Sequence, residues 1–141
     1  MKRLLCLLLT VLAVITLSCC GASNGGGKTV ATVTESENMV IITVEELDGT
    51  VTLLELMKDL REEGRLDFTA DLSGMVQSIG GKANAADWSA CWMLYTSDEE
   101  MANSEWGTIE HGGATYGSAI LGANALSVIA GEVYIWSYQM V

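Results

Sequence analysis

Thr52-Leu53-Leu54-Glu55-Leu56-Met57-Lys58-Asp59-Leu60-Arg61-Glu62-Glu63-Gly64 is the stretch that decides the fold. Thr52 and Glu55 stand at capping-box spacing, so the hydroxyl can accept from the first turn while the carboxylate reaches back to the cap. Leu53, Leu56, Met57 and Leu60 recur at helical spacing and form one apolar stripe. Lys58, Arg61, Glu62 and Glu63 fall off that stripe, and Gly64 sits where a left-handed stop is favoured. The pattern predicts one amphipathic helix of about three turns over Leu53 to Glu63.

Outward from the helix, the chain reads as strands and turns. Thr29 to Thr34 is β-branched and alternating, and Met39 to Val44 repeats that character before an Asp48-Gly49 turn signal. Beyond Gly64, Arg65 to Asp71 alternates Leu66, Phe68 and Ala70 with polar neighbours. Met75 to Ile79 then runs into Gly80-Gly81. Trp88 to Thr96 is apolar on both faces, which predicts a central strand. Ser97 to Gly117 is polar and glycine-rich, and reads as a long connection that is functional or partly structured. Glu132 to Tyr138 supplies a closing strand. Strands around one helix predict an α+β domain.

The other end of the chain speaks to location. Lys2 and Arg3 precede an uncharged apolar run from Leu4 to Leu17, about the length of a signal-peptide core and shorter than a bilayer span. Leu17-Ser18-Cys19-Cys20 follows, then a Gly/Ser tract, an arrangement similar to the bacterial lipoprotein signal. Cys20 is the expected lipidation site and Cys19 the alternative. Residues 1–20 are thus expected to be signal peptide and lipidation site, residues 21–28 a flexible tether, and residues 29–141 one domain. The expected location is the outer face of a bacterial cell membrane, reached by export and held by lipid. The formal net charge is −11, and losing Lys2 and Arg3 makes it more negative. Such a surface repels nucleic acid and anionic headgroups, so membrane attachment is expected through the lipid alone. Cys91 is the domain's single cysteine, expected as a buried small hydrophobe, and no internal disulfide can form.

Four segments in order, the helix, Gly74-Met75-Val76-Gln77-Ser78-Ile79-Gly80-Gly81, Cys91-Trp92-Met93-Leu94-Tyr95 and Gly131-Glu132-Val133-Tyr134-Ile135-Trp136, together resemble the transcobalamin C-terminal-like domain. The resemblance covers Met39 to Val141. It implies a β-grasp-like mixed sheet packed on one helix, and a module that closes over cobalamin in carrier proteins. Those carriers supply the other half of the site from a helical domain, for which residues 1–141 are expected to hold no counterpart.

Catalytic constellations are absent from the sequence. His111 is the only histidine and lies at an expected turn, His111-Gly112-Gly113, and no Gly-x-Ser-x-Gly elbow accompanies it. Asp98, Glu99, Glu100, Glu105, Glu110 and His111 crowd one segment, but their spacing matches no calcium loop, so no metal site is expected. Aromatic residues carry the stronger signal. All but Phe68 lie at or beyond Trp88. Trp92, Tyr134 and Trp136 alternate along strands and read as core, whereas Trp88, Trp106 and Tyr116 stand in polar, glycine-rich surroundings and are the expected ligand-binding rim. The function expected is capture of a small molecule without catalysis, with cobalamin or a related corrinoid as the candidate ligand, for uptake through a membrane transporter or second surface protein. The alternative is an adhesion or scaffold module that binds a protein or glycan.

Overall fold

The computed structural model describes residues 28–141. The expected signal peptide, both Cys19 and Cys20, and the tether up to residue 27 lie outside the described residues. No helix of the described residues is long and apolar enough to cross a membrane.

The helix forms where the stripe and caps place it. Helix α1 spans Leu53–Glu62, one residue shorter than expected because Glu63 is its C-cap. The Thr52 hydroxyl accepts the Glu55 N–H at 3.3 Å, and the Glu55 carboxylate accepts the Thr52 N–H at 2.8 Å. At the other end Gly64 takes φ 71°, its N–H reaches Arg61 O at 3.0 Å, and the Arg65 N–H reaches Leu60 O at 2.8 Å. This double closure is a Schellman motif, which satisfies the last carbonyls as the reversed chain leaves. Leu53, Leu54, Leu56, Met57 and Leu60 are buried. The first helical N–H groups donate outside the helix, Leu53 to Leu126 O and Leu54 to Ala123 O, both at 2.8 Å. Residues 122–128 therefore strap the helix N-terminus to the body.

Nine strands accompany it among the described residues: β1 (Thr29–Ser36), β2 (Met39–Leu47), β3 (Phe68–Ala70), β4 (Val76–Ile79), β5 (Lys82–Ala83), β6 (Ala90–Thr96), β7 (Ala102–His111), β8 (Ala114–Ala119) and β9 (Val133–Met140). Six form one sheet in the order β1-β2-β9-β6-β8-β7, and β3-β4-β5 form a second. The domain is α+β, mostly sheet with one short helix. The sheet expected to be mixed is antiparallel at each of its pairings. Parallel neighbours need a crossover within one sheet. Here α1 leads from β2 into the small sheet, and β9 returns beside β2 in the opposite direction.

Strand β6 lies between β9 and β8, and six of its seven residues are buried. Its apolarity on both faces has that cause. Trp92 and Leu94 face the core that holds α1, Phe68, Ile79 and Leu126, whereas Cys91 and Tyr95 are buried outside that cluster. Residues 97–117, expected as a long connection, are largely the β7–β8 hairpin. Ser104 to Gly107 stay unpaired between the Asn103↔Ser118 and Thr108↔Gly117 pairs. That bulge interrupts the alternation by which a strand is recognised. Gly112 and Gly113 take φ 60° and 81° at the hairpin tip, and Gly80 and Gly81 take φ 58° and 78° between β4 and β5. Two positive φ values in a two-residue turn match the right-handed twist of the flanking strands.

Candidate functional site

A cleft opens where the tip of the β1–β2 hairpin meets the tip of the β4–β5 hairpin. Its volume is about 510 Å³. Glu35, Ser36 and Glu37 form one wall, Gly80, Gly81 and Lys82 the other, and Val40, Ile79 and Trp92 the floor. The volume falls in the range of small-molecule sites, about 300–1,000 Å³. The floor is deep in the core, however: Val40 and Ile79 are each 1% exposed and Trp92 is 7% exposed. The cleft is thus open to solvent on one side, and its floor presents little side-chain surface.

Its walls are held by polar contacts converging on β5. Trp92 Nε1–H donates to Lys82 O at 2.7 Å, and the Trp92 N–H donates to Asn84 Oδ1 at 2.9 Å. The Tyr138 hydroxyl donates to Ala83 O at 3.0 Å. The Trp92 and Tyr138 rings meet edge to face with centroids 5.4 Å apart. Lys82 closes the arrangement, its ammonium 4.3 Å above the Tyr138 ring and bonded to Asn38 Oδ1 on the opposite hairpin. A solvent-accessible cation over an aromatic face contributes about 0.5–1 kcal/mol.

A smaller cleft of about 280 Å³ lies beside α1, lined by Leu54, Lys58, Arg61, Phe68, Leu72 and Asn124 among others. The Arg61 guanidinium sits 4.8 Å over the Phe68 ring and donates to Phe68 O at 3.2 Å. Leu72 is fully exposed at its lip. The turn carrying Leu72 is ordered by Asp71. Its carboxylate accepts the Ser73 hydroxyl at 2.6 Å, the Ser73 N–H at 2.8 Å, and the Met75 N–H and Gln77 Nε2 at 3.1 Å. Chiefly the Ser73 hydroxyl holds the Asp71 carboxyl below its usual range. A carboxylate lowered on folding stabilises above its unfolded value, and that contribution is lost as pH falls through the folded value. Asp71→Asn is therefore expected to flatten the acid limb of a Tm-against-pH profile between about pH 5 and pH 2. An unchanged acid limb would contradict this account of the turn.

The three expected rim residues do not converge. Trp88 is 49% exposed, just before the Ala90 end of β6, in a turn where its N–H reaches Ala85 O at 3.0 Å. It is the one non-glycine with positive φ among the described residues, at 60°. Trp106 sits in the β7 bulge, 64% exposed, and Tyr116 is half-buried on β8 opposite Ile109. Gly117 beside Tyr116 pairs with Thr96, so Trp106 and Tyr116 belong to the other end of β6. At the usual strand rise the two ends are about 20 Å apart. None of the three lines either cleft. The cleft residues come from three separated segments, residues 35–40, 79–82 and 92, whose meeting no local pattern states. Gly80-Gly81 was the available signal, a bare turn facing a second hairpin.

The acidic segment is also dispersed. Asp98 precedes β7, Glu105 lies in its bulge, and Glu110 and His111 lie at its far end. Asp98 Oδ1 accepts the Glu100 N–H at 3.0 Å, while the buried Oδ2 has no protein partner. No group of three or more His, Cys, Asp or Glu poised to hold a metal ion occurs among the described residues. Cys91 is buried with its thiol against Met93 Sδ at 3.6 Å. Comparison with known proteins finds no matching family model, no similar curated protein and no similar solved structure.

Proposed function

We propose that this chain is a lipid-anchored, extracytoplasmic binding module without catalysis, which takes up a small flat molecule in the cleft over Trp92. The observation that carries the reading is the cleft itself, of ligand size, walled by two hairpin tips and floored by an aromatic ring. One face of the ligand stays uncovered, so a second surface protein or a membrane transporter completes the site. A corrinoid is the ligand class that the transcobalamin-like resemblance implies, and its broad ring suits a half-site. A six-stranded sheet accompanied by a single helix supports the β-grasp-like part of that resemblance, while its all-antiparallel pairing departs from the mixed sheet the resemblance implies. Anchoring through Cys20, or Cys19, places the module at the outer face of a bacterial membrane.

Filling the cleft tests this reading. Ser36 is exposed on the wall, and Ser36→Trp would project an indole into the space above Trp92. In equilibrium dialysis of the full chain against cobalamin, cobinamide and haem, saturable binding is expected for the native protein. Ser36→Trp is expected to weaken it at least tenfold, about 1.4 kcal/mol. Native protein that binds none of the three would overturn the corrinoid-class reading, and binding insensitive to Ser36→Trp would move the site elsewhere.

The second reading is recognition of a protein or glycan at the cell surface. Trp88 and Trp106 favour it, since both are exposed and both stand outside the clefts. Exposed aromatic residues of this kind are enriched at recognition surfaces.

A further inference from the structure

Strand β7 is the last strand of the large sheet, ten residues long, and nothing among the described residues pairs with its outer edge. Unpaired strand edges are templates for another strand, and proteins commonly blunt them with lysine. This edge carries no lysine. No Lys or Arg occurs anywhere after Lys82, so the two acidic residues of β7, Glu105 and Glu110, have no basic counterpart on β6, β8 or β9 beyond His111 on β7 itself. The two ion pairs of the described residues, Lys28–Glu46 and Arg65–Glu63, both lie elsewhere. Glu105 and Glu110 on β7 are exposed, and so is Trp106 between them.

The hairpin register shows which backbone groups face outward. His111↔Ala114 flanks a two-residue turn and so exchanges both ladder bonds. Alternation then turns the N–H and C=O of Glu110 and Thr108 away from β8. We propose that this outer edge of β7, with Trp106, is a docking strip for a basic extended segment of a partner protein, added to the sheet as a further strand. The inference rests on the protein-recognition reading and narrows it to one edge and one partner chemistry. Backbone bonding at Thr108 and Glu110 supplies the register, and alternate side chains supply the choice of partner. Lysine or arginine on the added strand meets Glu105 and Glu110 and can lie over the Trp106 ring. Pairing of two β7 edges from two copies of this chain is disfavoured, because both edges carry like charge.

The test uses the full chain, labelled with ¹⁵N, and a ten-residue peptide of alternating lysine and valine as probe. A peptide of equal charge with prolines at two central positions controls for attraction without strand formation. The alternating peptide is expected to bind, with amide shifts concentrated at Thr108 and Glu110. The proline peptide is expected to bind at least tenfold more weakly. Thr108→Pro deletes one outward N–H while leaving the β8 ladder intact, and is expected to weaken the alternating peptide at least fivefold. Unchanged β8 amide shifts in the free variant show that it has folded. Equal binding of both peptides would overturn the proposal in favour of bulk charge attraction. No binding of either peptide would overturn it outright. Shifts centred on Trp88 would overturn the edge assignment while leaving surface recognition standing.

Discussion

Trp92→Ala is expected to lower stability by about 3–5 kcal/mol, the usual cost of removing a buried indole from a core. Three losses coincide at this position. The ring leaves a cavity beside Val40 and Ile79, which are each 1% exposed. The Lys82 carbonyl loses its indole donor, formerly at 2.7 Å. The Tyr138 ring loses its edge-to-face partner. Urea unfolding measures the total, and hydrogen exchange measures its distribution. Amides of β4 and β5 should lose protection more than those of β1 and β2, because the small sheet is fastened to the large one through Trp92 and Tyr138. Trp106→Ala provides the contrast. Its side chain is 64% exposed, so the expected change is within about 0.5 kcal/mol. Equal effects of the two substitutions would refute the division between structural and exposed tryptophans on which the site assignment rests.

Gly74→Ala is expected to cost about 2–4 kcal/mol, a large effect for one added methyl group. Gly74 adopts φ 85°, a region that L side chains enter at a penalty. A Cβ there would fall 2.6 Å from Asn124 Cβ and 3.1 Å from Leu54 Cδ2. Overpacking against such neighbours adds about 1–3 kcal/mol. Asn124 has little freedom to withdraw, since its side chain donates to Ser73 O at 2.9 Å and its segment accepts the first N–H groups of α1. Thermal unfolding monitored by circular dichroism would detect the loss. Gly80→Asn is the control: nothing lies within 4 Å of a Cβ at Gly80, and asparagine tolerates left-handed turns. A Gly74→Ala protein as stable as the native one would contradict the packing of the 73–74 turn against residues 122–128.

Local rules made the helix legible, because Thr52, Glu55 and Gly64 act within one or two turns of it. The central place of β6 was legible for a similar reason, since burial on both faces leaves an apolar run. Strand β7 was hidden because its bulge at Ser104 to Gly107 breaks the alternation. The antiparallel sheet order was hidden as well. It depends on where β9 returns after residues 120–132, which no local pattern states. Trp92 was recognised as core, and so it is. Its second role as the floor of a cleft follows only when the β1–β2 and β4–β5 hairpin tips are placed opposite one another. Trp88 and Trp106 were recognised as exposed, but the length of β6 between them defeats the single rim that their chemistry suggested.

The central claim is a ligand seated over Trp92, and the four tryptophans of the chain make it directly observable. Each indole N–H gives one resonance in a ¹⁵N correlation spectrum, assignable by single replacement. Titration of the full chain with cobinamide is expected to shift the Trp92 indole signal together with the amides of Gly80 and Gly81, leaving Trp88 and Trp106 unmoved. Shifts confined to Trp88 or Trp106, or no shift at saturating cobinamide, would contradict it.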